Sequence, residues 1–183
     1  MTLFKGLRPL LILRNVALVS PWLLQLFVAN IVLSGLLLPS WLLPDLCHNI
    51  ASTIAGSVWR GIQLIFTRAN GARIIVSGAE KLPPGESAIV IANHVEWTDF
   101  YMIQELAIRS GMLGRCRWFA KQQLKWVPFL GWGLWAVGMP LVSRNWTHDQ
   151  REMERVFHGP VERGWPICES ANNNVTLLVM LMT

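Results

Sequence analysis

Charge is scarce in this chain. Lysine, arginine, aspartate and glutamate together make up 15% of its 183 residues, against about 25% in a typical soluble domain. Acidic residues are the scarcer kind, 11 against 16 basic ones, which leaves a net charge of +5. Cysteine is scarcer still. Cys47, Cys116 and Cys168 are odd in number, far apart and without metal-ligand spacing. They exclude a disulfide framework and a zinc-type cluster, and read as ordinary apolar residues. No nucleic-acid motif accompanies the scattered basic residues, which excludes that partner. No serine-elbow motif supplies a hydrolase nucleophile. The apolar run near the amino terminus is longer than the core of a signal peptide, and no small-x-small cleavage site follows it.

What the chain has is apolar and aromatic. Apolar residues account for 52% of it and ten are tryptophan; the mean hydropathy is +0.38. This balance points to a membrane. The positive charge fits phospholipid headgroups, a phosphate or coenzyme A. Met1–Asn15 is short and basic, with Lys5, Arg8 and Arg14, which predicts a cytoplasmic amino terminus. Only uncharged residues follow from Val16 to Trp41, about the ~20 residues that cross a bilayer. Pro21 and Pro39 are expected near the ends of that span, where they cost least. A second apolar stretch, Ile50–Phe66, carries Arg60 and Gln63, and reads as a helix at the interface or dipping into one leaflet. One crossing puts the rest of the chain in the lumen; two crossings or a re-entrant hairpin keep it in the cytosol.

The organising stretch is Ser87–Phe100, SAIVIANHVEWTDF. Its apolar run reads as a buried strand, broken at Asn93-His94. Thr98 or Asp99 then caps a helix running to about Ser110, which Gly111 and Gly114 end. Positions five apart on a regular helix point about 140° away from each other. His94 and Asp99 therefore meet only if His94 sits on the turn and Asp99 folds back to it. Such a junction lies at the carboxyl end of a strand, where open α/β sheets bind ligands. A neutral imidazole oriented by a carboxylate removes a proton from an alcohol as that alcohol attacks a carbonyl. The plain alternative is a histidine that closes a turn and an aspartate that caps a helix.

Other elements follow from local pattern. Arg73–Gly78 is expected as a strand before the organising one, with Pro83, Pro84 and Gly85 turning the connection. Arg115–Ala120 is expected as a third strand, with basic residues at alternate positions. Lys121–Val127 reads as a short helix or turn ending at Pro128. The aromatic stretch Trp126–Trp135 reads as packed core, and also as an apolar wall beside a ligand tunnel or an interface belt, readings that can hold together. Val137–Val142 reads as a strand delivering Arg144, whose guanidinium offers bidentate hydrogen bonds to phosphate. Lys121, Lys125, Arg115 and Arg117 either add positive potential near that site or form a solvated basic face. Thr147-x-x-Gln150 is a capping box opening a helix that Gly159-Pro160 ends. Glycosylation sequons at Asn145 and Asn174 are matches of the kind that chance produces.

Asn93-His94-Val95-Glu96-Trp97-Thr98-Asp99 resembles the NHxxxxD signature of the glycerolipid acyltransferases, the lysophosphatidic acid acyltransferase family. Lys121–Trp132 (KQQLKWVPFLGW) resembles that family's second block, and Gly138–Arg144 (GMPLVSR) its arginine-bearing block. The resemblance spans roughly Ala72 to Pro166. It implies an α/β fold: a partial mixed sheet with helices, preceded by an N-terminal helical membrane anchor. The corresponding division is 1–70 for the anchor and 71–183 for a partial acyltransferase domain, with a divergent tail at 167–183. The implied reaction moves a fatty acyl group from acyl-CoA, a co-substrate, to a lysophospholipid, chiefly lysophosphatidic acid. His94 and Asp99 would be catalytic; Arg144, Asn93 and Lys121 would bind substrate, with Asn93 fixing the turn. No cofactor or metal is implied, since the thioester is already activated. The implied location is the endoplasmic-reticulum membrane.

The family's Glu-Gly-Thr-Arg block is expected after Trp165-Pro166, where this chain reads ICESANNNVTLLVMLMT instead. The alternative expectation is therefore a shortened, catalytically impaired membrane fragment, inactive or with an interaction role. Val175–Met182 would serve it as a substitute buried strand.

Overall fold

The computed structural model describes residues 3–77, 88–93, 96–143, 145–162 and 177–182. The apolar amino-terminal run forms one long helix, α1 (Leu3–Gly35). Its stretch Pro9–Gly35 is long and apolar enough to cross a membrane by length and composition. The helix starts upstream of the expected span and stops short of it. Pro21 is consequently interior rather than terminal, where its ring removes a backbone donor. After Gly35 the chain turns through Pro39–Trp41, a 3₁₀ segment, into α2 (Pro44–Leu64). A π-helical turn, Ile65–Ala69, extends α2.

The two helices run antiparallel. Trp22 Nε1 donates to the Val58 carbonyl at 2.9 Å, and Gln25 Nε2 to Ser57 Oγ at 3.2 Å. Arg14 Nη2 closes the open end by donating to Asn70 Oδ1 at 3.0 Å. The buried face of α2 (Cys47, Ala51, Ser52, Ala55, Val58) repeats at three- and four-residue steps, the spacing of one helical face. That face meets protein: Ala51 and Ala55 join Leu33, Ile103, Ala107, Met112, Leu113, Cys116 and Trp118 in one apolar core. Arg60 is on the outer, exposed side of α2.

The organising strand is β1 (Ala88–Asn93), and α3 (Asp99–Arg109) follows it. Gly111, at φ +73°, stops α3. The Met112 N–H reaches the Ala107 carbonyl at 2.7 Å and the Gly111 N–H the Ile108 carbonyl at 3.1 Å, the two bonds of a Schellman ending. Then come β2 (Cys116–Trp118), β3 (Ala120–Lys121), a 3₁₀ turn (Gln122–Trp126), α4 (Leu130–Val137), β4 (Leu141–Val142), α5 (Trp146–Glu162) and β5 (Leu177–Met182). The tail strand β5 lies between β1 and β2 and is parallel to both. Its register runs from Ala88 opposite Leu177 to Asn93 opposite Met182, and sets Trp118 opposite Val179. A separate parallel pair joins β3 to β4, with Lys121 opposite Val142.

Several expectations need correction. No strand forms over 73–77; Ile75 is 90% exposed there, and a short apolar run with no pairing strand among the described residues leaves its backbone groups to water. Gly78 lies outside the described residues. The expected strand at 115–120 is divided between two sheets at Phe119. The expected strand at 137–142 shrinks to Leu141–Val142, because Val137 ends α4 and Gly138 takes the left-handed conformation (φ +79°) that closes it. Thr147 does not cap α5. Asn145 does, its Oδ1 accepting the Thr147 N–H at 3.2 Å. Finally, α5 runs through Gly159-Pro160 to Glu162. The α/β organisation holds, and every ladder among the described residues is parallel.

The junction between α2 and the turn before β2 is tight. A Cβ on Gly114 would overlap the Ser52 backbone carbonyl, and one on Gly56 would stand 3.0 Å from the Gly114 Cα. Gly114→Ala should therefore force the two elements apart at a cost of about 1–3 kcal/mol. The expected readout is a lowered thermal-unfolding midpoint in detergent; an unchanged midpoint would contradict this close approach.

Candidate active site

The NHxxxxD stretch straddles the β1–α3 junction. Asn93 is the last residue of β1 and Asp99 the first of α3; His94 and Val95 lie outside the described residues. Asp99 folds back over the turn. Its Oδ2 accepts the Glu96 N–H at 2.9 Å, while its own N–H donates to the Glu96 carbonyl at 3.1 Å. Thr98 occupies the cap position without a side-chain cap hydrogen bond, and the Asp99 carboxylate accepts an N–H that precedes the helix rather than one of its first turn. A carboxylate on a backbone N–H is a charge-assisted bond. It fixes the loop that leaves β1.

Behind the turn stands an aromatic wall. Tyr101 stacks on Phe66 with centroids 4.1 Å apart and 5° between planes, and Trp97 meets Tyr101 edge-on at 5.7 Å. Phe100 continues the wall inward to Trp118 at 4.4 Å and Trp59 at 5.5 Å. Burial raises the Tyr101 hydroxyl above its ordinary value of 10.0. Trp97 itself is exposed. The motif thus rests on the carboxyl end of α2, which supplies Phe66 just beyond it.

Lys121 lies elsewhere, exposed at the end of β3 in the second sheet. Arg144 falls outside the described residues, but its neighbour is pinned: Asp149 Oδ1 accepts both the Ser143 N–H and the Ser143 hydroxyl at 2.8 Å. Glu152 Oε1 likewise accepts the Leu141 N–H at 3.1 Å. Two acidic groups of α5 thereby anchor the strand leading to Arg144. The structure brings Asn93 and Asp99 to one junction and leaves Lys121 on another sheet.

Arg117 departs from both open readings of the basic residues. It is 2% exposed, and its guanidinium donates to the Gly114 and Cys116 carbonyls (3.0 and 3.2 Å) and to Ser52 Oγ (3.1 Å). These acceptors are neutral. Burial pushes its pKa down to about 10; Cys116 opposes that fall and Arg115 adds to it. Sequence alternation set Arg117 opposite Cys116 and Trp118, yet all three are buried. A parallel strand covered on both faces has no solvent side. Arg115 stays partly exposed, donating to Asn49 Oδ1 at 3.4 Å.

A cleft of about 650 Å³ opens between the 122–126 turn, α4 and α5. Among its lining residues are Lys125, Trp126, Trp132, His148 and Arg151. Among the described residues, no group of three or more histidine, cysteine or acidic side chains is arranged to hold a metal ion.

An acyltransferase family profile matches residues 73–168, just over half of the chain, and the chain belongs to that family. Over 104 residues it is 28% identical to the probable 1-acyl-sn-glycerol-3-phosphate acyltransferase 5 of Arabidopsis thaliana, a match covering 55% of this chain and 28% of the relative. It is 37% identical over 70 residues to the mouse 1-acyl-sn-glycerol-3-phosphate acyltransferase delta, covering 38% of this chain and 18% of the relative. The human protein of that name is 38% identical over 66 residues, covering 36% and 18%. The matches thus span less than a third of these relatives' lengths. No solved structure matches.

The core beside the site makes a pH prediction. Burial holds the Cys116 thiol protonated, raising its pKa from 9.0 to about 12. Above pH 9 the unfolded chain releases that proton while the folded chain keeps it, so stability falls as pH rises through this window. Arg117 acts in the opposite sense only above about pH 10. Between pH 9 and 10 the wild type should therefore lose about 1 kcal/mol that Cys116→Ala does not lose. Denaturant unfolding of both proteins in detergent measures it; parallel pH profiles would contradict the burial.

Proposed function

We propose that this chain is a membrane-bound O-acyltransferase that moves a fatty acyl group from acyl-CoA to a lysophospholipid, foremost lysophosphatidic acid, yielding phosphatidic acid. Its membership of the acyltransferase family and its similarity to 1-acyl-sn-glycerol-3-phosphate acyltransferases support the reaction class. The observation that carries the reading is Asp99, turned back from the start of α3 onto the Glu96 N–H. That carboxylate is held by the backbone two residues after His94 in the sequence.

In this reading the acceptor hydroxyl attacks the thioester carbonyl carbon as His94 takes its proton. Asp99 orients the imidazole and stabilises the imidazolium that results. The tetrahedral centre collapses with cleavage of the C–S bond. The departing thiolate takes the proton from His94, giving free coenzyme A and the acylated product. Arg144 holds the acceptor phosphate through paired hydrogen bonds, Lys121 adds positive potential and Asn93 fixes the turn. The thioester needs no metal. The exposed apolar surface of α1 supports integral attachment to a membrane, in this reading that of the endoplasmic reticulum, and the acyl-CoA donor favours a cytosolic site.

The test is transfer of labelled acyl from acyl-CoA to lysophosphatidic acid by membranes bearing this chain. His94→Ala should reduce turnover by about 10²- to 10⁴-fold. Arg144→Ala should raise the acceptor KM by roughly ten- to a hundred-fold, the loss of a charge-assisted contact. Wild-type turnover in a folded His94→Ala protein would overturn the assignment.

A further inference from the structure

The cleft between the 122–126 turn, α4 and α5 combines two chemistries on one surface. Its apolar side is aromatic and open: Trp126 is 78% exposed and Trp132 58%. Its polar side carries Lys125, His148 and Arg151, all exposed. The carboxylates that also line it are turned onto backbone N–H groups, Asp149 onto Ser143 and Glu152 onto Leu141. The charged side chains presented to solvent are consequently Lys125 and Arg151, and Lys125 Nζ already stands 5.1 Å from the Trp126 ring centroid.

The aromatic side continues into α1. Phe129 meets Phe27 of α1 edge-on at 6.0 Å and Trp132 edge-on at 6.0 Å. Ser34 of α1 donates to the Phe129 carbonyl at 3.4 Å. Around Phe27, the α1 residues Leu23, Leu24, Val28 and Ile31 are exposed. A bilayer covering that face of α1 therefore reaches the cleft mouth, with two tryptophans at the interface where their amphipathic rings settle. A water-soluble phosphate compound has no use for such a rim; a lipid does.

We propose that this cleft is the loading site for the lysophospholipid acceptor: the single acyl chain lies against Trp126 and Trp132, and the phosphate meets Lys125, His148 and Arg151. The volume of about 650 Å³ lies within the range of small-ligand sites. The identity of the ligand rests on the acyl transfer proposed above; the existence of an anionic-lipid site does not. Because Asp149 both borders the cleft and pins Ser143, a lipid seated here lies beside the segment that leads to Arg144.

The experiment uses the full chain in nanodiscs with a lysophosphatidic acid carrying a diazirine in its acyl chain, without acyl-CoA, so that labelling does not depend on turnover. Label should map to the peptide holding Trp126 and Trp132. It should fall about three- to tenfold in Lys125→Gln/Arg151→Gln, and the acceptor KM should rise by a similar factor while the acyl-CoA KM does not. Trp132→Ala, which leaves the cations in place, should reduce labelling too. Label mapping elsewhere, or equal labelling of the charge variant, would overturn the proposal. Equal labelling by a diacyl phosphatidylglycerol probe would overturn it in favour of a general bilayer-lipid contact. Cleft labelling in a chain with no acyl transfer would sink the proposed reaction and leave the lipid site standing.

Discussion

The parallel pairing of β5 with both β1 and β2 is the constraint on which the presentation of the motif depends. A strand interior to a sheet satisfies its neighbours' backbone groups as well as its own. Here β1 and β2 are held in register through Leu177–Met182 rather than through each other. The chain leaves β1 at Asn93, returns along α3 and re-enters the sheet at Cys116. This is a crossover that leaves one strand's width for the tail. With that width filled, the carboxyl end of β1 is a fixed edge from which the Asp99 turn is hung.

A second constraint ties this sheet to the amino-terminal hairpin. Ser52 and Gly56 of α2 meet Gly114 at a distance that tolerates no side chain, and Ser52 also receives a hydrogen bond from buried Arg117. A guanidinium buried on neutral acceptors keeps its charge at a desolvation cost, which its lowered pKa reflects. It couples the third turn of α2 to β2 and the 113–115 turn in return. The helical hairpin is therefore part of the folded core. Leu33 of α1 and Ala51 and Ala55 of α2 belong to the same core as Ile103 and Trp118, while the outer face of α1 remains apolar and uncovered.

The sequence made β1 and α3 legible because two signals agreed there. A run of β-branched and alanine residues stops at a polar pair, and apolar residues then recur at helical spacing up to a glycine that can adopt positive φ. The spacing argument set Asp99 folding back to His94; His94 lies outside the described residues, and the contact described is with the Glu96 N–H. Legibility failed where pattern carried no information about neighbours. Residues 73–77 carry the β-branched run of a strand but pair with no strand among the described residues. The stretch WVPFLGWGLW is apolar throughout, and such a run does not distinguish strand from helix; α4 forms because Phe129, at φ +61°, and Gly138 close it at either end. The burial of Arg117 had no sequence signal, since it depends on α2 arriving from 65 residues away to cover the strand.

The most direct test of the structural account is native-state hydrogen exchange on the 183-residue chain in detergent or nanodiscs, read at the amides of Leu177–Met182 beside those of Ala88–Asn93. A tail strand that joins β1 to β2 requires both segments to be protected together and to open with the same free energy. Protection of β1 with exchange of 177–182 at the unfolded rate would contradict it. The support for the motif strand would then have to come from elsewhere.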